Sequence, residues 1–231
     1  MSAGDLSSGG TVPTVLPFIK REPSAILLAV QLAGLLLYPF MEGDGVSRAL
    51  FSAFGIVVLA LVVLAVRASP TWTWVGLMLG VPATILLIIQ AITNSDDLFP
   101  YSAGLEAILY FYATYGLIRY MLADHVITRD ELFAVGATFT LVAWGFAYVF
   151  VVWQAIEPGS FIAAIDPEAQ RSWVELLFLS FTTLSSTGLS DVVPIDPFAR
   201  SLVMIEQLVG VAYIAVVVSR LVALTIPRAP R

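Results

Sequence analysis

The sequence predicts an all-α integral membrane protein: six transmembrane helices, with a re-entrant helix and a loop between the fifth and sixth. Three observations predict it. Of the 231 residues, 59% are hydrophobic and only 12% are charged, about half the charged share of a soluble domain. The apolar residues come in long runs instead of periodic stripes. One apolar run, Trp173–Leu184, is too short to cross a bilayer and is followed at once by hydroxyl-bearing residues.

Composition excludes several classes. The 17 Asp and Glu outnumber the 11 Lys and Arg, for a net charge of -6, so no basic face is available to grip a nucleic acid. The absence of Cys removes disulfides, thiolate metal sites and cysteine nucleophiles. The one histidine, His125, is too little for a histidine metal cluster or a serine–histidine hydrolase. No paired polar constellation lies outside the segment before the last span, so neither an enzyme nor a bound cofactor is expected.

The six spans run over roughly residues 25–40, 49–66, 72–92, 105–122, 132–153 and 199–224. The first is short for a span of ~20 residues and closes on the interfacial run Tyr38, Pro39 and Phe40. Residues 1–23 are rich in Gly, Ser, Thr and Pro; with little to bury, they are expected to form a disordered tail. They are long for the charged leader of a signal peptide, and no small-residue cleavage site follows. Alternation of the spans puts Lys20, Arg21, Arg67, Arg119, Arg129, Arg220, Arg228 and Arg231 on one side, with Arg48, Arg171 and Arg200 on the other. The richer side is cytoplasmic, so the N-terminal tail and the tail at 227–231 are both expected there. Residues 24–124 hold four peripheral helices.

Most polar and aromatic features in these spans have plain explanations. The fourth span carries Arg119 alone near its cytoplasmic end, whereas a voltage sensor needs several regularly spaced arginines. Gly76 and Gly80 form a GxxxG suited to helix packing. Trp72, Trp74, Trp153 and Trp173 sit where aromatic belts are expected, and Trp144 reads as packing. His125, next to Asp124, reads as a solvated residue, with pH sensing as the alternative. Among the acids, Glu42, Asp44, Asp96, Asp97, Glu157, Asp166, Glu168, Asp191 and Asp196 fall outside. Such a face raises the local cation concentration. Glu106, Glu175 and Glu206 fall at membrane depth.

The 45 or so residues before the last span do not fit a simple bundle. Trp173–Leu184 is followed by Ser185, Ser186, Thr187, Gly188, Leu189, Ser190 and Asp191. Irregular polar backbone survives at membrane depth only inside protein or along a water-filled path. A short helix dipping inward points its C-terminal end, with its partial negative charge, at the membrane centre and favours a cation there.

The stretch FTTLSSTGLSDVVPIDPFAR resembles the pore loop of tetrameric potassium channels, whose usual form is TTxTTVGYGDxxP. Without a gap, Ser186 to Asp191 fall on TVGYGD and Pro194 on the family proline. Pro158-Gly159-Ser160-Phe161, the ELLFLSF run, Glu206, Gly210 and Ser219-Arg220-Leu221-Val222 resemble small bacterial six-span members. The likeness covers residues 131–225 well and 103–130 weakly. It implies a pore domain over 130–226, made of outer helix, pore helix, filter and inner helix, in a bacterial inner membrane.

The resemblance implies roles for particular residues. Carbonyls of Ser186, Thr187 and Gly188 would replace the hydration shell of a monovalent cation, with the Ser186 hydroxyl completing the inner site. Thr182 and Thr183 belong to the pore helix. Thr187 stands where the family has valine, and Leu189 where a tyrosine braces the filter. Ser190 stands where a second glycine takes positive φ, which costs an L-residue roughly 1–2 kcal/mol. The outer half of the filter is therefore expected to follow a different, looser path, passing K+ while excluding Na+ less sharply. Asp191, at the outer mouth, either ties the loop to the pore helix or attracts cations. Glu175, in the first turn of the pore helix, reads as an acid favoured by the helix N-terminus. Glu206 reads as a hydrogen-bonding group behind the filter. Gly210 falls on the hinge of the inner helix, permitting bending or close packing, and Ile214 and Val218 are placed in the inner cavity.

One chain supplies one such loop, so a central site requires a ring of copies, and the resemblance implies four. The expected partners are the lipid bilayer and three further copies, with no nucleic acid and no soluble sensor domain in the chain. A secondary transporter is the rival reading; it would show two repeat halves with paired broken helices, and one interruption is found. A non-conducting regulatory protein with a degenerate filter is the third.

Overall fold

The structure, a computed structural model, describes residues 22–37, 46–68, 72–93, 97–123 and 128–225. The expected interfacial run Tyr38–Phe40, the turn with Asp124 and His125 and the tail at 227–231 lie outside the described residues. So does the expected N-terminal tail, apart from its end, where Pro23 already opens a helix.

Seven helices carry the described chain: α1 Pro23–Leu37, α2 Val46–Ala68, α3 Thr73–Thr93, α4 Phe99–Met121, α5 Arg129–Ile156, α6 Trp173–Leu184 and α7 Pro197–Thr225. Among the described residues, α3, α5 and Pro197–Arg220 of α7 are long and apolar enough to cross a membrane. The expectation of an all-α chain needs one correction. Phe161–Ala163 (β1) and Val192–Pro194 (β2) pair antiparallel, with Phe161 opposite Pro194 and Ala163 opposite Val192. The two segments flanking α6 run side by side in opposite directions and satisfy each other's backbone groups, a pairing that hydropathy does not reveal.

The helix ends have local causes. Thr128 caps α5, accepting from the Glu131 N–H at 3.2 Å. Pro100 lies in the first turn of α4 and Pro197 starts α7, where a missing N–H costs nothing. The Asp196 carboxylate accepts from the N–H groups of Phe198 (2.8 Å) and Ala199 (2.9 Å), satisfying two orphan donors of that helix. These bonds, led by Ala199, hold the Asp196 carboxyl below its ordinary pKa.

The central helix is α5, which packs against α1, α4, α6 and α7. Most of its apolar stretch is buried, whereas most of that of α7 is exposed. Ser24 of α1 donates twice to the Asp130 carboxylate, from its N–H and its hydroxyl, each at 2.9 Å. In α3, Gly76 and Gly80 are buried, and Gly80 lies against Val63 of α2. The aromatic-belt expectation fails for Trp173. It is only 8% exposed, with its ring against Trp144 (5.3 Å) and Tyr148 (5.5 Å). Trp173 opens a helix packed on α5, so its ring turns into the protein.

Candidate functional site

The short helix α6 starts at a capping box. Ser172 Oγ accepts from the Glu175 N–H at 3.3 Å, and Glu175 Oε2 accepts from the Ser172 N–H at 2.6 Å. Glu175 Oε1 also pairs with Arg171 at 3.0 Å. Arg171 is buried and donates to the carbonyls of Ile165, Asp166 and Ala169. Its backbone exchanges two 2.9 Å bonds with the Gln154 side chain of α5. This network anchors the N-terminal end of α6.

The C-terminal end of α6 lies at a junction of three helices. Ser180 of α6 is buried between Glu206 of α7 and the Ala143 carbonyl of α5. Its hydroxyl donates to that carbonyl at 2.7 Å and is bonded to Glu206 Oε1. Glu206 is fully buried, and its Oε2 has no hydrogen-bond partner among the described residues. Four residues on, Gly210 lies against the backbone of Leu184, the last residue of α6. Here the glycine serves close approach, because any side chain would meet main-chain atoms that cannot rotate aside.

Beyond Leu184 the chain folds back on the end of α6. The Thr182 carbonyl accepts from the N–H groups of Thr187 (2.9 Å) and Gly188 (3.0 Å), and the Thr183 carbonyl accepts from the Ser186 N–H (3.0 Å). Thr182 and Thr183 are themselves buried. The hydroxyls of Ser185 and Thr187 lie 3.0 Å apart. Among the described non-glycine residues, positive φ occurs at Asp166 (50°) and Ser186 (60°); Gly188 has φ 65°. Ser190 is not in the left-handed region. Its hydroxyl instead accepts from the Val192 N–H at 3.0 Å, a local turn that leads the chain into β2.

Ser186, Thr187, Gly188 and Leu189 are exposed, Leu189 by 76%. Among the described residues, nothing donates to the carbonyls of Ser186, Thr187 or Gly188. Asp191 is exposed and has no hydrogen-bond or ion-pair partner among them. Ile214 and Val218 are exposed on α7, with Met204, Leu208 and Val211 above them. The fold thus gathers Glu206, Gly210, Thr182 and Thr183 around the end of α6 and leaves the loop and most of α7 uncovered. Among the described residues, no three His, Asp or Glu side chains gather as a metal ion would need.

Sequence reasoning missed Ser180, Arg171 and Gln154. The S-x-x-E spacing of Ser172 and Glu175 could have found the capping box. Ser180 and Gln154 carry no local signal, because their partners lie on other helices.

A family model described as an ion channel matches residues 107–226, just over half of the chain and all of α5 to α7. No curated protein and no solved structure matches the chain.

Proposed function

This chain belongs to the potassium-channel family of ion channels, and from that premise we propose that it is a homotetrameric, six-span channel for monovalent cations with weakened K+/Na+ discrimination. The observation that carries the proposal is the exposed loop at the end of α6, whose carbonyls at Ser186, Thr187 and Gly188 accept no hydrogen bond from a described residue. Carbonyls so placed, repeated around a symmetry axis, can replace the hydration shell of a cation. The uncovered face of α7 is the surface that neighbouring copies would share. Asp191, exposed and without a partner among the described residues, adds negative charge at the outer mouth.

The loosened selectivity is argued from Leu189 and Ser190. Leu189 has no hydroxyl and projects from the loop, so it offers no hydrogen-bonded brace to α6. Ser190 turns the chain through a side-chain bond to Val192 and not through a positive-φ residue. The outer half of the filter therefore has no rigid ring of carbonyls. With Arg119 as the only cation of α4, gating does not follow an arginine-rich voltage sensor. The bias of Lys and Arg supports an orientation with both termini in the cytoplasm.

The test is flux through liposomes holding the purified protein, followed by bi-ionic reversal potentials. Passive K+ flux with measurable Na+ permeation is the expected result. Saturating flux coupled to a second gradient would make the protein a transporter, and no flux would make it a non-conducting member of the fold.

A further inference from the structure

Between α4, α5 and α7 of one chain lies a cavity of about 380 Å³ with almost wholly apolar walls. That volume falls within the range of ligand sites, roughly 300–1,000 Å³. The cavity is long. One end is formed by Thr114, Val142 and Val209, the other by Leu122, Glu131 and Arg220. From Glu131 to Val142, as from Val209 to Arg220, is a step of 11 residues, or about 16 Å along a helix at ~1.5 Å per residue. The slot therefore runs parallel to the helices, and the Arg220–Glu131 pair, at 3.2 Å, marks one end.

These features select an occupant. Water gains little from apolar walls, and a rounded ligand would not fill a slot about 16 Å long. A single alkyl chain fits both the length and the chemistry. At that end the Arg220 guanidinium is already paired with the Glu131 carboxylate, and two opposite charges side by side match the phosphate and ammonium of a zwitterionic headgroup. In the membrane topology proposed above, on which this step rests, Arg220 lies at the cytoplasmic interface. We propose that the slot seats one acyl chain of a membrane phospholipid, with its phosphate beside Arg220. Ala212 and Val216, on the part of α7 below Gly210, form one wall. The seated chain thus supports the segment of α7 that leads away from the loop.

The test needs no ion flux, so it stands apart from the channel reading. The protein in vesicles is photolysed with a phosphatidylethanolamine bearing a diazirine on its acyl chain, and the adducts are mapped by peptide mass spectrometry. Adducts should concentrate on Val135, Ala212 and Val216. Filling the slot by Ala212→Phe should cut them by about tenfold while labelling elsewhere is unchanged. Val135→Met, a smaller intrusion, should act in the same direction and serves if the first variant fails to assemble. Adducts spread evenly over exposed side chains, or labelling by a diazirine fatty acid but not by the phospholipid, would overturn the proposal.

Discussion

The backbone of Leu184 occupies the space that a Cβ on Gly210 would need, its carbonyl carbon 2.8 Å and its Cα 3.0 Å from that position, with the carbonyl oxygen closer still. The end of α6 and the middle of α7 are therefore in main-chain contact, just where the exposed loop begins. Gly210→Ala must push the two helices apart. Overpacking of this kind costs about 1–3 kcal/mol, so the thermal midpoint of the purified variant should fall and its conductance should change with it. A midpoint equal to that of the parent would show that the contact carries no strain-sensitive load.

Glu206 and Ser180 form a second link between the same helices. Ser180→Ala strips the buried carboxyl of its partner and should destabilise the fold by about 1–3 kcal/mol. Replacing both residues by apolar ones, Ser180→Ala with Glu206→Leu, should recover most of that loss, since no polar group is then left unsatisfied. Thermal unfolding of the parent, the two single variants and the double variant gives the coupling. Strict additivity would sink this account.

Two substitutions address ion discrimination. Leu189→Tyr with Ser190→Gly restores a bracing ring and a residue that tolerates positive φ. The combined variant should prefer K+ over Na+ about tenfold more than the parent, which corresponds to ~1.4 kcal/mol. Reversal potentials under bi-ionic conditions read this directly. An unchanged ratio would place the determinant of selectivity elsewhere.

Asp196 makes the start of α7 sensitive to acid. Its carboxyl is held below the ordinary pKa by the N–H groups of Ala199 and Phe198 and the Trp153 indole, which donates at 3.1 Å. A depressed folded-state pKa contributes stability that is fully present above the unfolded value, ~3.9, and is lost as pH falls through the lower folded value. Trp153 is also stacked on Phe198, at 4.3 Å between ring centres. Its fluorescence should therefore change below about pH 4 in the parent and far less in Asp196→Asn. Identical acid profiles would remove Asp196 from the account.

Arg171 tests the other end of α6. Its planar fork reaches Glu175 and three carbonyls of the segment before it, which a lysine cannot reproduce. Arg171→Lys should expose residues 157–172 to proteolysis and lower stability by about 1–3 kcal/mol. Unchanged cleavage would mean that the Gln154 bonds alone hold the segment.

Length and apolarity of runs are local properties, so most helix ends were legible in the sequence to within a few residues, the start of α4, expected at 105 and found at Phe99, being the largest miss. Trp173–Leu184, expected as a short helix, is α6 with those same ends. The order of residues after it pointed to the ion-channel family that the match over 107–226 shows. Partnerships between helices were much less legible. A helix apolar on all sides has no stripe to announce which face meets which neighbour. Ser180 and Glu206 are 26 residues apart, and Arg220 and Glu131 are 89. The burial of Trp173, the β1–β2 pairing, the Leu184–Gly210 contact and the slot beside Arg220 were decided by tertiary structure alone. Each depends on how helices are rotated and offset against one another, and that is set by packing across the whole chain instead of by any local pattern.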